Sequence, residues 1–153
     1  MILDSFIKSL KKVAVFGMGV SGQASVKALF KLGKDVIAVN QGNPKTWKNG
    51  QQVFDLIGLE NCFDENDALK LMSEVELIII SPGISVEHPC LLAAREKQVP
   101  IWSEIELGFR LMPRKETPIV AITGTNGKTT TTSLLQFALK QTPLRVFVGG
   151  NIG

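Results

Sequence analysis

Val13-Ala14-Val15-Phe16-Gly17-Met18-Gly19-Val20-Ser21-Gly22 is the stretch on which the fold turns. Four apolar residues run into a G-x-G-x-x-G loop, and Ser21–Leu32 follows with Ala24, Ala28, Leu29 and Leu32 on one helical face and Gly33 at its end. A buried strand, a glycine turn and a helix are the three parts of a phosphate-cradling βα unit. The glycines permit a tight turn, close approach of a diphosphate, and close packing of helix on sheet. Strand–helix alternation continues outward from this unit. Strands are predicted at Val36–Val39, Val53–Ile57, Leu77–Ile80 and Ile101–Trp102, and helices at Asp64–Met72, Pro89–Lys97 and Glu104–Leu111. Residues 41–52 are polar and turn-rich and read as a loop. Ile2, Leu3, Phe6, Ile7 and Leu10 have the spacing of a short helix packing on this first domain. Such alternation predicts an α/β fold with an open parallel sheet.

A second glycine loop lies far along the chain: Ile122-Thr123-Gly124-Thr125-Asn126-Gly127-Lys128-Thr129-Thr130. It follows an apolar run, Ile119–Ile122, and opens a predicted helix at Lys128–Lys140, with a further strand expected at Arg145–Val148. Backbone N–H groups of Gly124, Thr125, Asn126 and Gly127, with those of the helix start at Lys128, Thr129 and Thr130, suit a phosphate chain. Lys128 has the reach for β- and γ-phosphates, and the Thr129 hydroxyl suits Mg²⁺. The first glycine of the general G-x-x-x-x-G-K-[ST] pattern falls on Ile122, so Gly124 supplies the flexibility. Between the two halves, Met112-Pro113-Arg114-Lys115-Glu116-Thr117-Pro118 breaks the pattern. The expected organisation is a first domain over 1–112, a linker over 113–117, and the start of a second domain over 118–153. One crossover unit buries too little surface to stand alone.

Composition narrows the function classes. The chain has 153 residues, 44% of them hydrophobic, and a net charge of +3. Its cations are scattered, so no nucleic-acid partner is expected. No apolar run is long enough to span a bilayer, and Gly17, Gly19 and Gly22 interrupt the stretch that most resembles a leader. Cys62 and Cys90 fit no metal or redox spacing, so free thiols in a cytoplasmic protein are expected. At the end of the second predicted strand, where an acid would hold the ribose of NAD, stand Asn40 and Gln41. His88, the only histidine, precedes Pro89 at a helix start and reads as structural. Glu104 and Glu106 are two apart on a helix and read as a solvated or linker-facing pair, not a catalytic dyad. Two anion-cradling loops on two α/β units suggest ATP-driven activation of a nucleotide-linked substrate.

Several segments of the chain resemble those of a known family. Gly17–Gly22, Ser81-Pro82-Gly83-Ile84, His88-Pro89, Ile105-Glu106-Leu107, Ala121–Thr129 and Gly149-Gly150-Asn151-Ile152-Gly153 occur in the order and spacing of the Mur ligases, nearest to the branch that adds D-glutamate. The resemblance implies a Rossmann-like domain for the UDP moiety, followed by the first βαβ unit of a P-loop ATPase domain. It implies an ATP- and Mg²⁺-dependent amide ligase of peptidoglycan synthesis, acting on UDP-N-acetylmuramoyl-L-alanine and D-glutamate through an acyl phosphate, as a cytoplasmic monomer. Phosphoryl transfer of this kind depends on positioning and charge neutralisation, and Lys128 and Thr129 are the catalytic residues it implies here.

By the same resemblance, Gly17, Gly19, Val20, Ser21 and Gly22 lie at the uracil and diphosphate, Asn40 and Gln41 near the uridine, and Ser81, Pro82 and Gly83 near the UDP. Asn151 reaches the diphosphate or sugar. The chain departs from the family's Asp-Thr-Arg at Asn40-Gln41-Gly42, which touches uracil recognition and leaves backbone contacts to the diphosphate intact. A non-catalytic nucleotide-sensing module and an NAD-dependent oxidoreductase domain are the competing expectations. The family's acidic Mg²⁺ ligand, carbamylated lysine and metal-binding histidine correspond to none of these 153 residues. The chain by itself is therefore expected to show no D-glutamate-dependent ADP release; turnover above background in a coupled ADP assay contradicts this.

Overall fold

The computed structural model describes residues 5–48, 50–112 and 117–150. The chain divides into two compact units, Met1–Lys115 and Glu116–Gly153.

The first unit is built on a five-stranded, all-parallel sheet of β1 (Lys12–Phe16), β2 (Asp35–Asn40), β3 (Cys62–Asp64), β4 (Leu77–Ile80) and β5 (Ile101–Ser103), in the order β3-β2-β1-β4-β5. Helices α1 (Ser5–Ser9), α2 (Val20–Lys31), α3 (Gly50–Ile57), α4 (Glu65–Ala68), α5 (Pro89–Glu96) and α6 (Glu104–Leu111) connect and cover it. Side chains alternate across a strand, and β1 divides accordingly between two cores. Val13 and Val15 join Ile7, Val26, Leu29, Val53, Ile57 and Leu107 on one face. Ala14 and Phe16 join Ala68, Met72, Leu91 and Ala94 on the other. A sheet covered on both faces needs continuous apolar strands rather than alternating ones, which is why Leu77-Ile78-Ile79-Ile80 carries no polar residue.

Helix ends follow local chemistry. Asp64 caps α4 by accepting from Asn66 N–H at 3.0 Å. Ser103 caps α6 by accepting from Glu106 N–H at 3.1 Å. Pro89 occupies the first turn of α5, where a missing N–H costs nothing. The opening helix packs on this unit as expected, with Ile7 fully buried and the Phe6 ring 5.3 Å from that of Trp102.

Several expectations are corrected: the helix expected at Asp64–Met72 is the short α4 running into a 3-10 helix at Leu69–Ser73, and the loop expected over 41–52 gives way to α3 at Gly50. Val53–Ile57, expected as a strand, lies in α3. Gly50, Val53 and Ile57 are its buried positions, a helical spacing, and Trp47 packs beside Phe54 at 6.2 Å. The third strand is Cys62–Asp64 instead, three residues long. In the second unit α7 (Lys128–Lys140) forms with the expected bounds, whereas 119–122 and 145–148 form no strand. A strand requires a ladder partner, and neither segment has one among the described residues. Ile119, Val120, Leu144 and Phe147 remain exposed, and no residue of 117–150 is buried.

The β1–α2 junction sets the tightest packing constraint. A Cβ on Gly22 would stand 1.8 Å from the Gly17 carbonyl oxygen, while one on Gly19 would meet nothing within 4 Å. Gly22→Ala is expected to destabilise the first unit by about 3 kcal/mol, near the upper end for overpacking, with Gly19→Ala costing less, about 1 kcal/mol, as an N-cap change with open space around it. Urea unfolding midpoints of the two variants check this.

Candidate functional site

The sheet order reverses between β1 and β4: successive connections run outward through β2 and β3, then return to β4 and β5. In open α/β sheets the crevice beyond the strand ends at such a reversal is where ligands bind. The Gly17–Gly22 loop leaves the end of β1 there, and Ser81 leaves the end of β4 beside it. Gly17 N–H donates to Val39 O at 2.8 Å, and Ser81 N–H donates to Phe16 O at 3.0 Å, so both loops start from sheet hydrogen bonds. Gly17 has φ +90°, and a Cβ there would lie 2.7 Å from Ser81 Oγ. Both the conformation and the space demand glycine.

Gly19 is the N-cap of α2, with no side-chain cap and no acidic residue in the first turn. The first-turn N–H groups are thereby left to face the crevice, at the positive end of a 12-residue helix. Val20 is 91% exposed at the first helical position, and Ser21 is exposed beside it. A cavity of about 440 Å³ adjoins this turn, lined by Met18, Gly19, Val20, Gln23, Lys27 and Lys48 among others. Gln23 Nε2 donates to Met18 O at 2.8 Å and ties the loop to its own helix. Lys27 and Lys48 are exposed and carry no ion pair among the described residues, so the cavity is cationic.

Asn40 meets the same loop. Its Oδ1 accepts from Met18 N–H at 3.1 Å, so its amide N–H₂ is the part left for a ligand. Gln41 is exposed at the end of β2. The following turn is held from both sides: Gly42 N–H donates to Asp64 Oδ2 at 2.6 Å, and Trp47 Nε1 donates to Gly42 O at 3.0 Å. Pro82 and Gly83 form a turn closed by Ile84 N–H donating to Ser81 O at 3.1 Å. Gly17, Gly19, Val20, Ser21, Gly22, Asn40, Gln41, Ser81, Pro82 and Gly83 thus gather at the β1–β2–β4 strand ends. Asn151 lies outside the described residues.

Glu104 is corrected from a solvated residue: its Oε1 accepts from Ser81 Oγ at 2.6 Å. Glu106 pairs instead with Arg110 Nε at 2.6 Å, and Arg110 lies 4.3 Å over the Trp102 ring. His88 caps α5, its Nδ1 accepting from Cys90 N–H at 3.2 Å and its Nε2 standing 3.3 Å from Glu65 Oε2. Cys62 and Cys90 are buried free thiols, each pushed up to about 11, chiefly by burial.

In the second unit, Gly124 (φ +146°) and Gly127 (φ +75°) adopt backbone conformations that side chains disfavour. Gly127 is the N-cap of α7, without a side-chain cap. Lys128 Nζ donates to Gly124 O and to Thr125 O, the latter at 3.2 Å. Its ammonium therefore already faces the loop interior. Thr129 and Thr130 lie in the exposed first turn. Among the described residues no three His, Cys, Asp or Glu side chains gather as a metal site.

The sequence profile described as Mur ligase MurD-like, N-terminal domain, matches residues 11–103. The UDP-N-acetylmuramoylalanine–D-glutamate ligase of Caldanaerobacter subterraneus subsp. tengcongensis is 40% identical over 143 residues, covering 94% of this chain and 31% of that protein. The ligase of the same name from Bacillus thuringiensis is 38% identical over 143 residues, with coverage of 94% and 31%. The chain thus spans about 31% of the length of these curated relatives. Among solved structures, the UDP-N-acetylmuramate-alanine ligase MurC of Thermotoga maritima aligns with a TM-score of 0.55 at 25% identity, over 86% of this chain and 29% of that one.

Asp64 links this site to stability. Hydrogen bonds from Asn66, and further from Gly42 N–H, hold its carboxyl below the ordinary value of 3.8. A depressed carboxyl contributes above its unfolded value and stops contributing as pH falls through its folded one. Amide exchange at Gly42 is therefore expected to quicken, beyond the intrinsic pH effect, only below about pH 4, and Asp64→Ala should produce the same loss at neutral pH. Exchange measured by NMR, with β1 amides as internal reference, checks both. The glycine loop at the β1–β4 reversal and the match over 11–103 identify this chain as a member of the MurD-like Mur ligase family, carrying its N-terminal domain.

Proposed function

We propose that this chain is the UDP-binding part of an ATP-dependent ligase that joins D-glutamate to UDP-N-acetylmuramoyl-L-alanine. The observation that carries it is the uncapped, acid-free start of α2 behind the Gly17–Gly22 loop, at the sheet reversal. The names of the relatives supply the substrate. Backbone N–H groups of Gly19, Val20 and Ser21 bind the diphosphate. The exposed Val20 side chain offers an apolar surface for a base, and the Asn40 amide and Gln41 bond the uridine. Lys27 and Lys48 raise the local positive potential and attract a doubly charged ligand. Gly83, in the turn after β4, lies beside the UDP.

In the second unit the loop from Gly124 to Thr130 fits ATP. Both glycines hold the turn open, the first-turn N–H groups lack caps, and Lys128 Nζ faces the loop. When bound, ATP with Mg²⁺ supplies the phosphoryl group that activates the substrate carboxylate. Lys128 neutralises phosphate charge, and Thr129 offers a hydroxyl to the metal. In this reading the ligase acts as a monomer in the cytoplasm. No helix among the described residues is long and apolar enough to cross a membrane.

Calorimetric titration tests the substrate half directly. Heat of UDP binding is expected at millimolar ligand, with NAD failing to compete. Val20→Glu places a carboxylate at the loop mouth and should weaken UDP binding at least ~10-fold, which is about 1.4 kcal/mol, without changing thermal stability, because the side chain is exposed. No binding by the unaltered chain, or equal binding by Val20→Glu, contradicts the proposal.

A further inference from the structure

Glu104 has no part in the scheme above, yet it grips a residue at the centre of the crevice. Ser81 fills the space that the missing Gly17 side chain leaves, 2.7 Å from where that Cβ would be. Its Oγ lies within reach of two acceptors, Glu104 Oε1 at 2.6 Å and Gly17 O at 3.2 Å. A hydroxyl carries one proton. The carboxylate is both nearer and the stronger acceptor, so the hydroxyl donates to it. Everything else around Ser81 then meets only oxygen lone pairs. A phosphate oxygen is also only an acceptor, so a Ser81 hydroxyl committed to Glu104 has nothing to give it.

Glu104 is well placed to hold this bond. It is the first residue of α6, behind the Ser103 cap, and a carboxylate is favoured at a helix start. The bond joins the end of β5 to the end of β4, and Ser81 in turn packs against the bare Cα of Gly17 at the end of β1. Gly17 O in turn faces Gly22, where no Cβ fits.

We propose that Glu104 is a positioning residue. By accepting the Ser81 O–H hydrogen bond it fixes Ser81 as a strut against the glycine loop, and leaves diphosphate recognition to backbone N–H groups. This deepens the diphosphate assignment made above and rests on it.

The test uses the 153-residue chain, UDP and uridine as ligands, and the variants Glu104→Ala, Glu104→Gln and Ser81→Ala. Glu104→Ala is expected to weaken UDP about fivefold, the net worth of one hydrogen bond, and to leave uridine affinity unchanged. Glu104→Gln retains an acceptor oxygen and should restore UDP binding to within about twofold. Ser81→Ala added to Glu104→Ala should cause no further loss, because the two act as one unit. Without any ligand, amide exchange over residues 18–22 should rise in Glu104→Ala and not in Glu104→Gln.

Equal or tighter UDP binding by Glu104→Ala overturns the proposal, since the carboxylate would then only repel the diphosphate. So does a parallel loss of uridine affinity, which marks a general structural defect. If the unaltered chain binds no UDP, the diphosphate assignment fails, and the ligand-free exchange experiment still decides whether Glu104 orders the loop.

Discussion

The contact between Gly22 and the Gly17 carbonyl is the constraint on which the crevice depends. Because a Cβ at position 22 would overlap that oxygen, α2 can approach the end of β1 only as far as a glycine allows. This approach seats Val26 and Leu29 in the core that also contains Val13 and Val15. It also brings the uncapped start of α2 to the sheet reversal. Packing and anion binding are therefore set by the same glycine. Gly17 contributes the second half of the constraint: its positive φ turns the chain, and its bare Cα admits Ser81 from β4.

The two units stand differently with respect to burial. The first has apolar residues on both faces of a five-stranded sheet. The second has a 13-residue helix with no buried residue, and exposed Leu134, Phe137, Leu144 and Phe147. Hydrophobic burial is the dominant favourable term in folding, and the described part of this unit has little of it. Its loop nevertheless adopts two glycine conformations suited to phosphate, because local sterics around Gly124 and Gly127 need no core. Phosphate loops depend on backbone geometry, while strands depend on neighbours.

The same distinction explains what the sequence made legible. Leu77–Ile80, Glu104–Leu111 and Lys128–Lys140 have the bounds expected of them, because an uninterrupted apolar run, a Ser cap and a Gly cap are local signals. The parallel α/β class follows from alternation alone. Val53–Ile57 was open to misreading: Val, Phe, Leu and Ile in five residues suit a strand, and only the 50–53–57 spacing marks a helix. Cys62–Asp64 is too short for any period to register. The Ser81–Glu104 bond joins residues 23 apart, so no local pattern could reveal it. Asn40, expected near a ligand, also serves the loop itself through Met18 N–H, a contact across 22 positions.

The most direct measurement is an NMR titration of the isotope-labelled chain with UDP, following every backbone amide. Binding at the sheet reversal predicts shifts concentrated at residues 18–23, 40–42 and 81–84, with little change at the opposite ends of the strands. Shifts centred elsewhere, or none at saturating ligand, would contradict the assignment of the glycine loop as the diphosphate site.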